Sequence, residues 1–226
     1  MNSYRKIDKK GFYCPSDTVY FNNWTKLFIL SAKKYAPWAH IHVHVFDSTE
    51  SDHDWCKKNN ISISSEVTPS QYCDSIDTKK GYWVNSRFIR LPELYVDTTP
   101  VIAIDSDSLL VQPLSESQFD QDLACSWVTV RGAEDLSLGS AVGFGVDNVR
   151  HIYREKLLEH KDNLRWFLDQ EILDIMLKDS VIGKMNTRYS DFKYSNASYI
   201  WTGKGNRKLK KTFMVLAEEY RKGLVQ

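Results

Sequence analysis

Asp105 and Asp107 follow the apolar run Val101-Ile102-Ala103-Ile104 with one serine between them. Carboxylates two positions apart at the end of a buried strand repel each other unless something cationic compensates. A divalent ion does this well. Hard Mn²⁺ and Mg²⁺ prefer oxygen ligands, and Mg²⁺ is often held by one or two carboxylates plus the phosphates of a substrate. An isolated D-x-D is also an ordinary turn, because Asp and Ser favour turns, so its weight depends on its company. Gly203-Lys204-Gly205 offers the complementary charge. Its glycines permit close backbone approach and its lysine suits a diphosphate, although the same residues also make a solvated turn ahead of a helix. Trp166 and Phe167 beside Asp169, with Trp201 further on, either stack on a sugar face or fill the core. His42 and His44 share one strand face; a metal pair there competes with a half-exposed strand that needs no ligand.

The elements that must hold these residues alternate in period, which marks an α/β chain. Gly11-Phe12-Tyr13-Cys14 reads as a short strand stopped by Pro15-Ser16-Asp17, and Asn22 or Asn23 as the cap of a helix from about Trp24 to Tyr35 ended by Pro37. Residues 41–47 alternate strictly and form a strand. Looser repeats follow: a helix around 52–58, a strand at 61–67 and a helix from about 82 to 95. Val101–Ile104 has the continuous apolar character of a central parallel strand covered on both sides. Strands near 124–130 and 139–146, helices around 148–159 and 169–178, and a basic amphipathic helix at 207–223 complete the chain. The last is expected to bury Leu209, Phe213, Leu216 and Tyr220.

Composition narrows the function classes. The 226 residues are 42% hydrophobic and 26% charged, the make-up of an ordinary globular chain rather than a disordered or fibrous one. Lys+Arg 30 against Asp+Glu 29 leaves a net charge of +1, so no global field attracts nucleic acid or an anionic membrane. No apolar run approaches the roughly 18–20 residues of a membrane span, and the basic start lacks a signal peptide's apolar centre. A cytoplasmic protein is expected. Cys14, Cys56, Cys73 and Cys125 show no C-x-x-C pairing and read as buried thiols; the sequons at Asn23, Asn60 and Asn196 read as chance. No linker or repeat divides residues 1–226, so one domain is expected.

Asn85-Ser86-Arg87-Phe88-Ile89-Arg90-Leu91-Pro92-Glu93-Leu94, followed by the strand ending in Asp105-Ser106-Asp107, resembles the central segment of GT-A fold glycosyltransferases. It is most similar to the glycogenin and lipopolysaccharide galactosyltransferase-like branch. Gly139-Ser140-Ala141-Val142 falls where that branch has its N-S-G-V acceptor strand, Phe167-Leu168-Asp169-Gln170 where it has D-Q, and Ile200 to Lys208 where it has an H-x-x-G-x-x-K-P loop. The order and approximate spacing hold from the first strand to the tail. Three positions depart: Ile200 replaces the metal-binding histidine, Gly139 the asparagine, and Arg207-Lys208 the lysine-proline end.

The resemblance implies a mixed, mainly parallel sheet flanked by helices (GT-A, Rossmann-like), Mn²⁺ or Mg²⁺, and a UDP- or GDP-sugar donor, with 1–110 as the nucleotide-sugar-binding half and 111–226 as the acceptor-side half with the C-terminal basic helix. Asp107 would bind the metal, and Asp105 the metal, the ribose or both. Arg87 would reach the nucleotide-sugar, Gly203 and Lys204 would clamp the diphosphate, and Asp169 would act on the acceptor hydroxyl or hold the sugar. Tyr13, Ser16 and Asp47 stand at the ends of the first two strands, where this fold would seat base and ribose. The acceptor, whether glycan, lipid-linked or protein, is open. Arg207, Lys208, Lys210 and Lys211 read as a solvated helix face, with peripheral contact to an anionic membrane as the rival reading. Two alternatives to transfer compete. A phosphatase-type haloacid dehalogenase domain also has D-x-D after a strand, but it sits near the chain start and needs a later acidic motif. A catalytically silent nucleotide- or glycan-binding module is kept open by Ile200.

Overall fold

The computed structural model describes residues 6–131, 136–185 and 187–224. In chain order the strands are β1 (Gly11–Asp17), β2 (His40–Phe46), β3 (Ser62–Glu66), β4 (Val101–Ile104), β5 (Ser108–Leu110), β6 (Trp127–Arg131), β7 (Leu136–Phe144), β8 (Gly183–Met185) and β9 (Ile200–Thr202). Seven of them form one sheet ordered β3-β2-β1-β4-β7-β6-β8, while β5 pairs antiparallel with β9. All neighbours in the sheet are parallel except β7, which runs against both β4 and β6. The mainly parallel α/β architecture is therefore as expected. β4 lies between β1 and β7 with all four residues buried, and this position delivers the two aspartates to the carboxyl edge of the sheet.

The helices are α1 (Thr18–Tyr20), running through a π-helical turn at Phe21–Thr25 into α2 (Lys26–Tyr35), then α3 (Glu50–Lys58), α4 (Ile76–Leu94), α5 (Glu116–Asp122), α6 (Val149–Leu158), α7 (Leu168–Lys178) and α8 (Lys211–Leu224). One apolar cluster, with Phe12, Phe28, Val43 and Ile102, fills one face of the sheet; another, with Phe88, Val101, Phe144 and Leu173, packs α4, α6 and α7 against the other.

Several boundaries differ from the sequence reading for identifiable reasons. Pro15 does not stop β1, because β4 pairs only with Gly11–Tyr13 and leaves the later residues a free edge on that side, where proline is tolerated. The first helix consequently starts at Asp17, whose carboxylate accepts the Tyr20 N–H at 2.9 Å, rather than at Asn22 or Asn23. α4 begins at Ile76 instead of 82 because Ser75 and Thr78 close a capping box. The tail helix begins at Lys211; Leu209 sits in the preceding 3₁₀ turn and is exposed, whereas Phe213 and Ala217 are buried. Cys14 and Cys56 are buried, but Cys73 and Cys125 are exposed, which corrects the expectation for those two. Among the described residues no helix is long and apolar enough to cross a membrane.

The His42 and His44 strand is not half-exposed. Both rings are buried and hydrogen-bonded: His42 bridges Ser62 at 2.7 Å and Ser64 at 2.8 Å, and His44 meets Ser64 at 2.8 Å. Burial pushes the His42 pKa down to about 3. A histidine held neutral in the fold stabilises it above the unfolded pKa, and that contribution is lost as pH falls toward the folded value. Between about pH 6.5 and 3, His42 is expected to cost about 1.4 kcal/mol of stability per pH unit. Urea unfolding of His42→Gln should show a correspondingly flatter acid limb than the wild type.

Candidate active site

A cleft of ≈ 330 Å³ opens at the carboxyl ends of β1 and β4. Ser16, Arg87, Asp105, Asp107, Asp169 and Lys204 all line it, so six of the residues expected from sequence converge on one place. Tyr20, Lys80, Trp83, Trp166, Phe167 and Gln170 complete much of the wall. Such convergence of charged side chains in a concave site is the usual mark of a ligand pocket.

Arg87 organises the acidic side. From the middle of α4, its guanidinium donates to Asp105 at 2.7 Å, to Asp169 at 3.0 Å and to the Gly139 carbonyl at 3.3 Å, while its Nε donates to the Val84 carbonyl at 3.0 Å. Burial works against its charge, but the two carboxylates outweigh burial and push its pKa up. Asp169 stands in the first turn of α7 and is 2% exposed. Burial raises its pKa and Arg87 opposes that rise. Gly139 packs directly against this pair: its φ is +60°, and a Cβ there would lie 3.2 Å from Gln170 Cγ and 3.5 Å from the Asp169 carboxylate. The glycine that stands in place of the family's asparagine thus has a backbone reason.

Asp107 has its own cation. Lys208 Nζ donates to Asp107 Oδ2 at 3.0 Å and to Tyr20 Oη at 2.8 Å, and lies 4.5 Å and 5.4 Å from the ring centres of Tyr20 and Trp24. Burial and the charge of Asp105 push the Asp107 pKa up, and Lys208 pulls it back. Gly203 sits just behind: its N–H donates to the Asp107 carbonyl at 2.7 Å, its carbonyl accepts the Lys208 N–H at 3.2 Å, and a Cβ would fall 2.7 Å from Lys208 Cβ. Gly203 therefore fixes the turn, whereas Lys204 and Gly205 face the cleft. Ser16 is 6% exposed and its Oγ has no partner, so it is a buried hydroxyl at the cleft wall that a ligand would satisfy.

Besides Gly203, which lies behind the cleft and not on its wall, two further sequence assignments do not reach it. Tyr13 is fully buried in mid-strand, packed near His42 and Tyr95, because β1 continues four residues beyond it. Asp47 turns away: with φ of 52° after β2, its two oxygens accept the Thr68 N–H at 2.8 Å and the Thr68 hydroxyl at 2.7 Å. Trp201 is a core residue of β9 at 7% exposure, while Trp166 and Phe167 stand 43% and 48% exposed at the cleft. The basic cluster is not a bare solvated helix face: besides Lys208, Arg207 lies over the Phe192 ring and Lys210 over that of Tyr194. Sequence reasoning read Lys208 only with the loop end and the basic cluster, and did not single out Tyr20, Lys80 or Trp83. The available signal was charge balance, since two aspartates this close need two cations and Arg87 supplies only one.

Asp105 and Asp107 offer a hard divalent ion two carboxylates on one strand end, each now paired with a cation, Asp105 with Arg87 and Asp107 with Lys208. Ile200 is fully buried in β9 and contributes nothing, and among the described residues no group of three or more His, Cys, Asp or Glu side chains could hold an ion alone. The remaining coordination would fall to water and diphosphate oxygens.

The mainly parallel sheet, reversed at one inner strand, matches the GT-A fold of solved glycosyltransferase structures, and the chain has that fold. Two solved structures are similar over nearly the whole chain. The galactosyltransferase LgtC in complex with donor and acceptor sugar analogs matches with a TM-score of 0.64 and 14% identity, covering 92% of this chain and 95% of that one. An active-site mutant of LgtC matches with a TM-score of 0.60 and 13% identity over the same shares. No family model and no curated protein matches the sequence.

Proposed function

We propose that the cleft binds a UDP- or GDP-sugar and transfers its sugar, a hexose, to an acceptor hydroxyl. The observation that carries this reading is the meeting of Asp105, Asp107, Arg87, Asp169 and Lys204 in one cleft at the carboxyl edge of a GT-A sheet. The similarity to LgtC supports the same class of donor. Ser16 offers a hydroxyl to the nucleoside, while Lys204 beside Gly205 presents positive charge to the diphosphate. Asp105 and Asp107 would hold Mn²⁺ or Mg²⁺, which when bound neutralises charge developing on the leaving diphosphate.

Asp169 is the catalytic carboxylate in this reading. Its burial strengthens it as a proton acceptor or hydrogen-bond acceptor, and Arg87 opposes the rise in its pKa and aims it. Trp166 and Phe167 form an aromatic rim on which an acceptor sugar stacks, with Lys80 Nζ 5.8 Å from the Trp166 ring centre. The whole chain acts as one transferase domain, since strands of both halves share the sheet.

The test is release of nucleoside diphosphate from a panel of UDP- and GDP-sugars with Mn²⁺ or Mg²⁺, with and without candidate sugar acceptors. Turnover that disappears in Asp169→Asn supports transfer. Tight nucleotide binding with no turnover on any donor would favour the silent binding module, a reading supported by the internal pairing of both D-x-D acids with Arg87 and Lys208.

A further inference from the structure

The Asp107–Lys208 pair is a closed contact inside an open cleft. The side chains are 9% and 15% exposed, and the ammonium is held from two further sides by the Tyr20 hydroxyl and the ring of Trp24. The backbone seals it: Gly203 links Asp107 to the turn that carries Lys208 through one hydrogen bond on each side. A divalent ion that takes Asp107 Oδ2 breaks this pair, and one that takes the other oxygen shares the carboxylate with the ammonium; either way two positive charges lie close together in a poorly screened site. That cost falls away when a diphosphate arrives, because its anionic oxygens accept the displaced ammonium and supply ligands to the ion.

We propose that Lys208 is a resident counter-cation that closes Asp107 to divalent ions until a donor diphosphate is present, so that metal and nucleotide bind as a coupled pair. The inference rests on the donor-site reading above and extends it to the order in which the site fills. Thermodynamic coupling is reciprocal: if the nucleotide tightens the ion, the ion tightens the nucleotide by the same factor.

The experiment reads free Mn²⁺ by electron paramagnetic resonance, with no turnover involved, on the full chain with and without UDP or GDP. Wild type is expected to bind Mn²⁺ weakly alone and at least about tenfold more tightly with the nucleotide. Lys208→Gln should bind Mn²⁺ alone at least about tenfold more tightly than wild type, about 1.4 kcal/mol, and Asp107→Asn added to it should abolish the gain. Tyr20→Phe keeps the ammonium but removes one anchor, and should give an intermediate gain; it carries the test if Lys208→Gln fails to fold. Equal Mn²⁺ affinity in wild type and in these variants, whether strong or absent, overturns the proposal. The two readings fail separately. Nucleotide binding without any effect of Lys208→Gln on Mn²⁺ removes the lock alone, and a Mn²⁺ gain without nucleotide binding removes the donor reading and the coupling that rests on it.

Discussion

Replacing Arg87 with methionine is expected to destabilise the fold by about 3–5 kcal/mol, because it leaves the buried Asp169 and the partly buried Asp105 without their shared cation. Asp105 and Asp169 both lean on this one guanidinium, and the Gly139 carbonyl loses a donor as well. The loss should be largest at neutral pH. Asp169, whose pKa burial already raises, takes up a proton more readily once Arg87 is gone, so acidification toward pH 4 relieves part of the cost. Arg87→Met combined with Asp169→Asn should recover part of the stability. Chemical unfolding of the single and double variants checks this, and equal stability of Arg87→Met and wild type would show that the clamp is not a structural element.

Asp169→Asn keeps the shape and a hydrogen-bond acceptor for Arg87 but removes the charge. If Asp169 accepts a proton or a strengthening hydrogen bond during transfer, kcat should fall by about 10²–10⁴-fold while donor affinity changes little. Stability moves the opposite way with pH. A carboxyl whose pKa is raised in the fold, as burial raises that of Asp169, contributes stability that is present below its unfolded value and lost as pH rises through the folded one. Wild type should therefore gain stability relative to Asp169→Asn as pH drops from 7 toward 4. Unchanged kcat in the variant would remove Asp169 from the chemistry and leave it a positioning role.

What was legible in the sequence follows from what local pattern encodes. Val101–Ile104 announces a covered strand by its unbroken apolar run, and the acids after it must lie at the strand's carboxyl end. Arg87, Asp169 and Lys204 came from the ordered resemblance rather than from periodicity, and all three line the cleft. Lys208 was hidden for a physical reason: its partner lies 101 positions away, and a cluster of four basic residues looks like a wet helix face until the chain is folded. Tyr13 was misplaced because Pro15 reads as a strand terminator, whereas an unpaired stretch of edge lets β1 run on to Asp17. Asp47 was misplaced because sequence does not show a left-handed residue turning its carboxylate onto Thr68. The short strands β5, β8 and β9 carry three residues each, too few for any period to register.

The central claim is that this cleft is a nucleoside-diphosphate-sugar site. Isothermal titration of UDP, GDP and their sugars, with Mn²⁺ or with EDTA, on wild type and Asp107→Ala tests it most directly. The site described above predicts binding of one nucleotide series that weakens sharply in EDTA and in the variant. Binding of neither series, or binding indifferent to both the ion and Asp107, would contradict it.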